Sequence, residues 1–438
     1  MNRARTAVRC LLYVGTSLIA LLPATSALAD SAAWKQYMHA AKVNFQCRDY
    51  VQSQAAYESA IKEAEKFDAG DQRLILSLDA MADLYVRQGL YAQAEPLCKR
   101  ALALQEKTLG PEHVLVASAL NNLATIYRNR GRYDDAEQSY KRALEMEEKA
   151  LGSTNSRVST TLKGLVTVYV DEGKIGEAQT IAERDLAIDE KCFGPNAPGI
   201  CTSLSNLASI SWSQGNYAKA EETLKRAVAI EEKTENHDGC TAAFLNNLAV
   251  IYDSQGKWAK SEPILKRVLE INEKIYGPEE PTLALGLYNL AVHYDKVGRY
   301  ADGRPLLKRA LAIDEKALGP NHASVARDLR EIASILYRFD KKYGEAAGLL
   351  ERALAIDEKA FGNFHSSVGI DLIQLGYLYL DEKKYRLAEP VIKRALTIDE
   401  KALGLHHPDT IECQRSYVIV LRNTNRSKEA KELEARIQ

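Results

Sequence analysis

The chain runs to 438 residues, 46% hydrophobic and 27% charged, an ordinary globular composition with enough apolar content for a large core. A formal net charge of -1 argues against a nucleic-acid partner, which leaves a basic footprint on the sequence. Beyond the N-terminus no stretch is long and apolar enough to span a bilayer as a helix.

Residues 1–29 stand apart. Arg3, Arg5 and Arg9 lead into an apolar run from Cys10 to Leu22, followed by Pro23 and the small-residue site Ala27-Leu28-Ala29. This pattern predicts a cleaved secretory signal peptide. The competing reading, a retained anchor, is disfavoured because the run is about 13 residues against the ~20 a spanning helix needs. Cys10 lies too far upstream of the cleavage site to accept a lipid there. Cleavage removes three arginines and no acid, moving the net charge from -1 to -4. The mature part, 30–438, keeps Cys47, Cys98, Cys192, Cys201, Cys240 and Cys413, and an oxidising compartment would permit disulfides. Cys192 and Cys201 flank one inter-repeat loop and form the candidate pair; the alternative is small buried thiols filling gaps between helices.

The mature chain is organised around Lys308–His322, KRALAIDEKALGPNH, whose near-copies recur throughout. Lys107, Lys149, Lys191, Lys233, Lys274, Lys316, Lys359 and Lys401 each close a Glu-Lys pair, with successive spacings of 42, 42, 42, 41, 42, 43 and 42. Such a period marks a solenoid whose units bury their apolar faces by stacking. Each unit reads as two helices. In the third, a first helix over about 114–129 puts Leu120, Leu123, Ala124 and Tyr127 on one face, Gly131 ends it, and a second helix over about 134–150 turns Ala136, Tyr140, Ala143 and Leu144 inward. Small residues hold the Ala124 and Ala136 positions in nearly every repeat, where paired axes ~8–10 Å apart leave room for little else. Pro96, Pro263, Pro305 and Pro390 share one register, expected in the first turn of the second helix. The Glu-Lys pairs read as solvated helix ends, with Lys near the negative end of the dipole.

Small-xxx-Tyr, then Gly-x-Tyr-x-x-Ala, then Arg-Ala-Leu resembles the tetratricopeptide repeat, and the long second helix ending Glu-Lys-x-Leu-Gly-Pro-x-His resembles its 42-residue, kinesin-light-chain-like variety. The resemblance implies an all-α fold, a right-handed superhelical solenoid of about ten hairpins over 30–438, beginning near 31, 71, 113, 155, 197, 238, 280, 322, 365 and 409. A motor-joining heptad segment does not accompany the repeats, which argues against a motor adaptor. Three departures predict a bend or loosening of the stack: Ile175 with Asp185 in the fourth repeat, the loop after Lys233, and an extra residue around Leu336-Tyr337. The first hairpin, with Trp34 and Tyr37, and the last, with Arg415 and Arg422, read as end caps.

No catalytic constellation emerges. His113, His322, His365 and His407 occupy the same loop of different units, ~10 Å or more apart once stacked, too far for shared metal ligation. His406-His407-Pro408-Asp409 fits the loop and helix-start pattern, and no Gly-rich phosphate loop is present. The expectation is therefore a protein that is not an enzyme, with no cofactor and no metal. The resemblance implies that the first helices line a concave groove and that residues just before the packed Leu-Ala contact an extended peptide. By position these are Asn121, Asn122, Thr125, Arg128 and Lys163; Ser205, Asn206, Ser209 and Trp212; Asn246, Asn247 and Asp253; Tyr288, Asn289 and Asp295; and Arg330. Asn amides both donate and accept, so a ladder of them suits peptide backbone of any sequence. Trp212 and Tyr288 would add apolar anchors, and Arg128, Lys163 and Arg330 would take a carboxylate. Equally, the Asn pairs would tie adjacent helices together. The expected role is a non-catalytic scaffold in the bacterial cell envelope, periplasmic or secreted, that binds a peptide segment or partner protein in its concave groove. The alternative is a structural or regulatory subunit using its convex face.

Overall fold

The computed structural model describes residues 32–437 except 48, 69, 234–239, 404, 406 and 407, so the leader of residues 1–29 lies outside the described residues, as do His406 and His407. Among the described residues there are twenty α-helices and no strand, and no helix is long and apolar enough to cross a membrane. They group into two compact units, divided near Asn196.

The first unit holds four hairpins: α1 (Ala32–Gln46) with α2 (Tyr50–Ala64), α3 (Gln72–Arg87) with α4 (Tyr91–Leu109), α5 (Val114–Asn129) with α6 (Tyr133–Leu151), and α7 (Ser156–Asp171) with α8 (Ile175–Phe193). The second opens with a short 3-10 turn, Pro198–Ile200, and continues through α9 (Cys201–Ser213), α10 (Tyr217–Glu231), α11 (Cys240–Ser254), α12 (Trp258–Tyr276), α13 (Pro281–Lys296), α14 (Tyr300–Leu318) and α15 (Ala323–Ile335). A five-residue π turn, Leu336–Asp340, follows, then α16 (Tyr343–Phe361), α17 (Ser366–Asp381), α18 (Tyr385–Leu403), α19 (Pro408–Asn423) and α20 (Ser427–Ile437).

Within a hairpin the helices meet at the small residues. Ala124 and Ala136 are fully buried, and the Ser261 hydroxyl donates to the Ala249 carbonyl at 3.1 Å. At Gly303 a Cβ would stand only 3.1 Å from the Ala291 carbonyl oxygen, so the close approach itself selects the residue. The second helices begin at the turn aromatic, five residues before each proline. Pro96, Pro263, Pro305 and Pro390 therefore lie inside their helices, one turn deeper than expected. All four are exposed, where water can satisfy the carbonyl that loses its N–H partner.

The recurrent KRALAIDEK segment is at once the end of each second helix, its closing lysine exposed in the last turn, and a joint between repeats. Its Arg reaches back to the Glu of the preceding copy: Arg100 to Glu65 and Arg142 to Glu106, both at 2.7 Å, and Arg184 to Glu148 in the first unit. Arg267 to Glu232, Arg309 to Glu273, Arg352 to Glu315 and Arg394 to Glu358, at 2.6–2.8 Å, continue the pattern in the second. Its Asp is buried. Asp189, Asp314 and Asp357 each expose 1% of their surface; Asp189 and Asp357 bond back to the first helix that precedes them, through Lys163 and Arg330, and Asp314 bonds to the first helix that follows, through Arg327. The histidines of the Gly-Pro-x-His loop are helix N-caps: Nδ1 of His113, His322 and His365 accepts the N–H of Leu115, Ser324 and Ser367 at 3.1–3.2 Å.

Two of the departures have a local structural counterpart. Asp185, in place of the usual Ala, is fully buried and accepts from the Lys163 ammonium at 3.0 Å, so the two odd residues compensate each other. The extra residue near 336 is taken up by the π turn, where Tyr337 is buried and Phe339 stacks on Tyr300 at 4.0 Å between ring centres. The loop after Lys233 lies outside the described residues.

Candidate functional site

In the first unit the inner face is formed by α3, α5 and α7. Asn121 is half-buried and its amide donates to the Thr161 hydroxyl at 2.7 Å, which in turn donates to Glu147 at 2.6 Å. Thr125 bonds the Tyr140 hydroxyl at 2.8 Å, Asn122 is half-buried, and Arg128 approaches Asp171 at 3.8 Å. Lys163 lies between Asp185 at 3.0 Å and Asp189 at 2.6 Å. Burial raises the Asp185 carboxyl and the Lys163 charge opposes that rise. Lys163 is thus an internal counter-ion.

The second unit has a groove of about 550 Å³ across α11, α13, α15 and α17, with α19 at its end. Its walls include Val250, Val292 and Ile370 as apolar surface, and Asp253, Asn289, Lys296, Gln374 and Glu412 as polar groups. The side chains along it are cross-linked from repeat to repeat. Asn247 donates to Ser205 at 3.1 Å and Asn289 to Asn246 at 2.8 Å, while Trp212 donates its indole N–H to Ser254 at 2.8 Å. Asn206 and Ser209 are buried. Asp253 is 2.8 Å from His293 and Asp295 is 3.2 Å from Arg338. Tyr288 is buried beneath the Arg327 guanidinium, 4.5 Å from the ring centre.

Arg330 sits between Asp357 at 2.7 Å and Asp371 at 2.9 Å. Burial works against its charge, but the two carboxylates outweigh that and hold the guanidinium protonated; burial in turn raises the Asp371 carboxyl against the opposing pull of Arg330. Arg327 is shared in the same way by Asp314 at 3.0 Å and Asp328 at 2.8 Å. Of the expected cation sites, Lys163 and Arg330 are therefore committed to buried carboxylates. Cys192 and Cys201 are not paired: Cys192 is exposed with its thiol 3.3 Å from the Thr154 carbonyl, and Cys201 is buried with its thiol 3.6 Å from the Ala227 carbonyl.

Sequence reasoning passed over Gln374, Tyr377 and Glu412 in the groove, and Asp79 on α3. The period was the available signal: Asp79 lies 42 residues before Asn121, and Gln374 is 43 after Glu331, across the inserted residue.

Stacked hairpins whose first helices carry a polar inner face and an open groove define a helical-repeat scaffold for protein–protein interaction. The chain belongs to the tetratricopeptide repeat family: residues 72–149, 157–233, 240–302 and 282–359 match its family model, and 372–401 matches a second model of the same description. Its repeats keep a period of 41 to 43 residues, most often 42. Among solved structures, a Podosopora anserina protein with nearly identical TPR-like repeats, assigned to the kinesin light chains, is 25% identical over 47% of this chain and 97% of that one, with a TM-score of 0.40. BtubC (BKLC) from P. vanneervenii is 22% identical over 54% of this chain and 92% of its own, with a TM-score of 0.41. A Rap protein complexed with competence and sporulation factor is 14% identical over 85% of this chain and 99% of that chain, at a TM-score of 0.56, a likeness of fold. No curated protein matches the sequence.

Proposed function

We propose that the chain is a non-catalytic scaffold that holds an extended segment of a partner protein against the inner faces of its first helices. The observation that carries this reading is the second unit's groove, about 550 Å³, with the half-buried apolar side chains of Val292 and Ile370 beside Asn289 and Gln374. Apolar surface of this kind takes side chains, and amides take backbone. Lys163 and Arg330 are poor places to test it, since charge reversal there would strand buried carboxylates. Val292→Glu with Ile370→Glu blocks the groove and leaves those ion pairs intact. The partner co-isolated with the wild-type chain should be lost from the double variant while the far-UV helical signal is retained. Undiminished retention would sink the groove and move the contact to the convex face.

The leader-like residues 1–29 support a second element of the proposal, export to the cell envelope. Fractionation checks it: a mature chain starting near Asp30 in the envelope or medium is expected, and a cytoplasmic chain retaining Met1 would overturn it.

A further inference from the structure

We propose that Asp79 forms a subsite on the first unit's inner face for a cationic side chain, lysine or arginine, of the bound segment. This rests on the inner-face reading above and adds the chemistry of one recognition position.

The register gives the reason. Three residues before the small contact position of the first helices stand Asp79, Asn121 and Lys163 in the first unit and Ser205, Asn246, Tyr288, Arg330 and the apolar Ile373 in the second. Asn121, Lys163, Ser205, Asn246, Tyr288 and Arg330 all engage a polar or charged side chain. Asp79 has no hydrogen-bond or ion-pair partner among the described residues. The cause is local. Asn121 finds its partner 40 residues on, at Thr161; the same step from Asp79 arrives at Ala119, which has no side-chain polar atom.

A carboxylate without a donor calls for one, and an ammonium or guanidinium both donates to it and neutralises it. On the same hairpin and the next, Arg87 is occupied by Asp83 at 2.9 Å, and Lys99, Arg130 and Arg132 by Glu95. Burial, with no cation to offset it, pushes the Asp79 carboxyl up to about 7. The Cys98 thiol is pushed up to about 12 by burial and then by Asp79, Asp83 and Glu95, and of these three carboxylates Asp79 is the one without a cation among the described residues.

The test is selection from a random dodecapeptide library on the full chain, with the wild type and Asp79→Asn in parallel. The expected result is a Lys or Arg enriched at one peptide position. Changing that residue to Ala should weaken binding to the wild type about tenfold or more and leave binding to Asp79→Asn unchanged. Peptides selected with no cation preference, or an equal loss in both proteins, would overturn the subsite and leave the groove reading standing. Recovery of no peptide at all would overturn both. Asp79→Asn removes an unpaired, half-buried carboxylate and is expected to fold at least as stably as the wild type, which thermal melting checks.

Discussion

Lys383 adopts φ 59° in the hairpin turn, at the register where Gly89, Gly131, Gly215 and Gly298 stand in other repeats. A side chain in this left-handed region costs ~1–2 kcal/mol, part of which glycine returns through its freer unfolded state. Lys383→Gly should therefore stabilise by about 1 kcal/mol, read from a urea midpoint with unchanged slope. Lys341, at φ 56°, should gain less on the same change because its ammonium also pairs with Asp381 at 3.2 Å. The carboxylates give a pH dependence of definite sign. Burial raises Asp79 to about 7, and it raises Asp314, Asp328 and Asp371 in the same direction against the pull of their arginines. A carboxyl raised on folding stabilises in its protonated form, so its contribution is complete below the unfolded value near ~4 and is lost as pH rises through the folded value. Glu221 and Glu262 act in the opposite sense. Hydrogen bonds from Lys225 and Lys266 respectively are the largest influence holding each at about 2, and their contribution disappears in acid. The melting temperature should thus be highest between about pH 4 and 7 and fall towards pH 8, with Asp79→Asn removing part of the alkaline slope. A melting temperature that rises from about pH 6 to 8 would contradict the assignment.

At the scale of a helix, two glycines separate propensity from packing. Gly348 lies inside α16 with nothing within 4 Å of where a Cβ would stand, so Gly348→Ala should stabilise by about 1 kcal/mol from helix propensity alone. Gly164 in α7 receives the buried Tyr140 ring, which would lie 2.4 Å from an added Cβ. Gly164→Ala should cost roughly 1–3 kcal/mol despite the same propensity gain, because the ring is tied by its hydroxyl to Thr125 and cannot withdraw freely. Chemical denaturation of the two variants side by side checks the opposite signs. Elements of this kind were readable in advance wherever a local rule fixes them: Gly-x-Tyr turns, small residues at Ala124 and Ala136, apolar faces of helical period. What could not be read was the partner of each polar side chain. Lys163 and Arg330 looked like surface cations because a helical pattern reports which face a residue occupies, and their carboxylate partners, Asp189 and Asp371, are 26 and 41 residues away. The Asn ladder was legible as a position but not as a role, since the amides of Asn247 and Asn289 are spent on the neighbouring repeat.

Across each unit the period itself becomes an energetic device, because a solenoid's stability is a sum of repeat and nearest-neighbour terms and the repeated motif supplies the same contact at every joint. Two kinds of joint coexist. The outer one is the Glu–Arg ladder, partly exposed, each rung worth about 0–1 kcal/mol and screened by salt. The inner one is the set of Asp groups buried against cations, where removing one partner strands a charge at a cost of about 3–5 kcal/mol. In the second unit the comparison is direct. Arg330→Met leaves Asp357 and Asp371 buried without their shared guanidinium, and its loss should persist in 1 M salt. Arg309→Glu sets like charges against Glu273, where the native pair is 2.6 Å apart and both side chains are nearly half exposed. It should lose at most about 1 kcal/mol, most of it disappearing in 1 M salt. Adding Glu273→Arg recreates the rung with its polarity reversed and should recover most of that loss at low salt. If the swapped pair is no more stable than Arg309→Glu alone, the ladder is a by-product of repeating the sequence; if it recovers, the recurrent Arg and Glu are retained because each joint uses them.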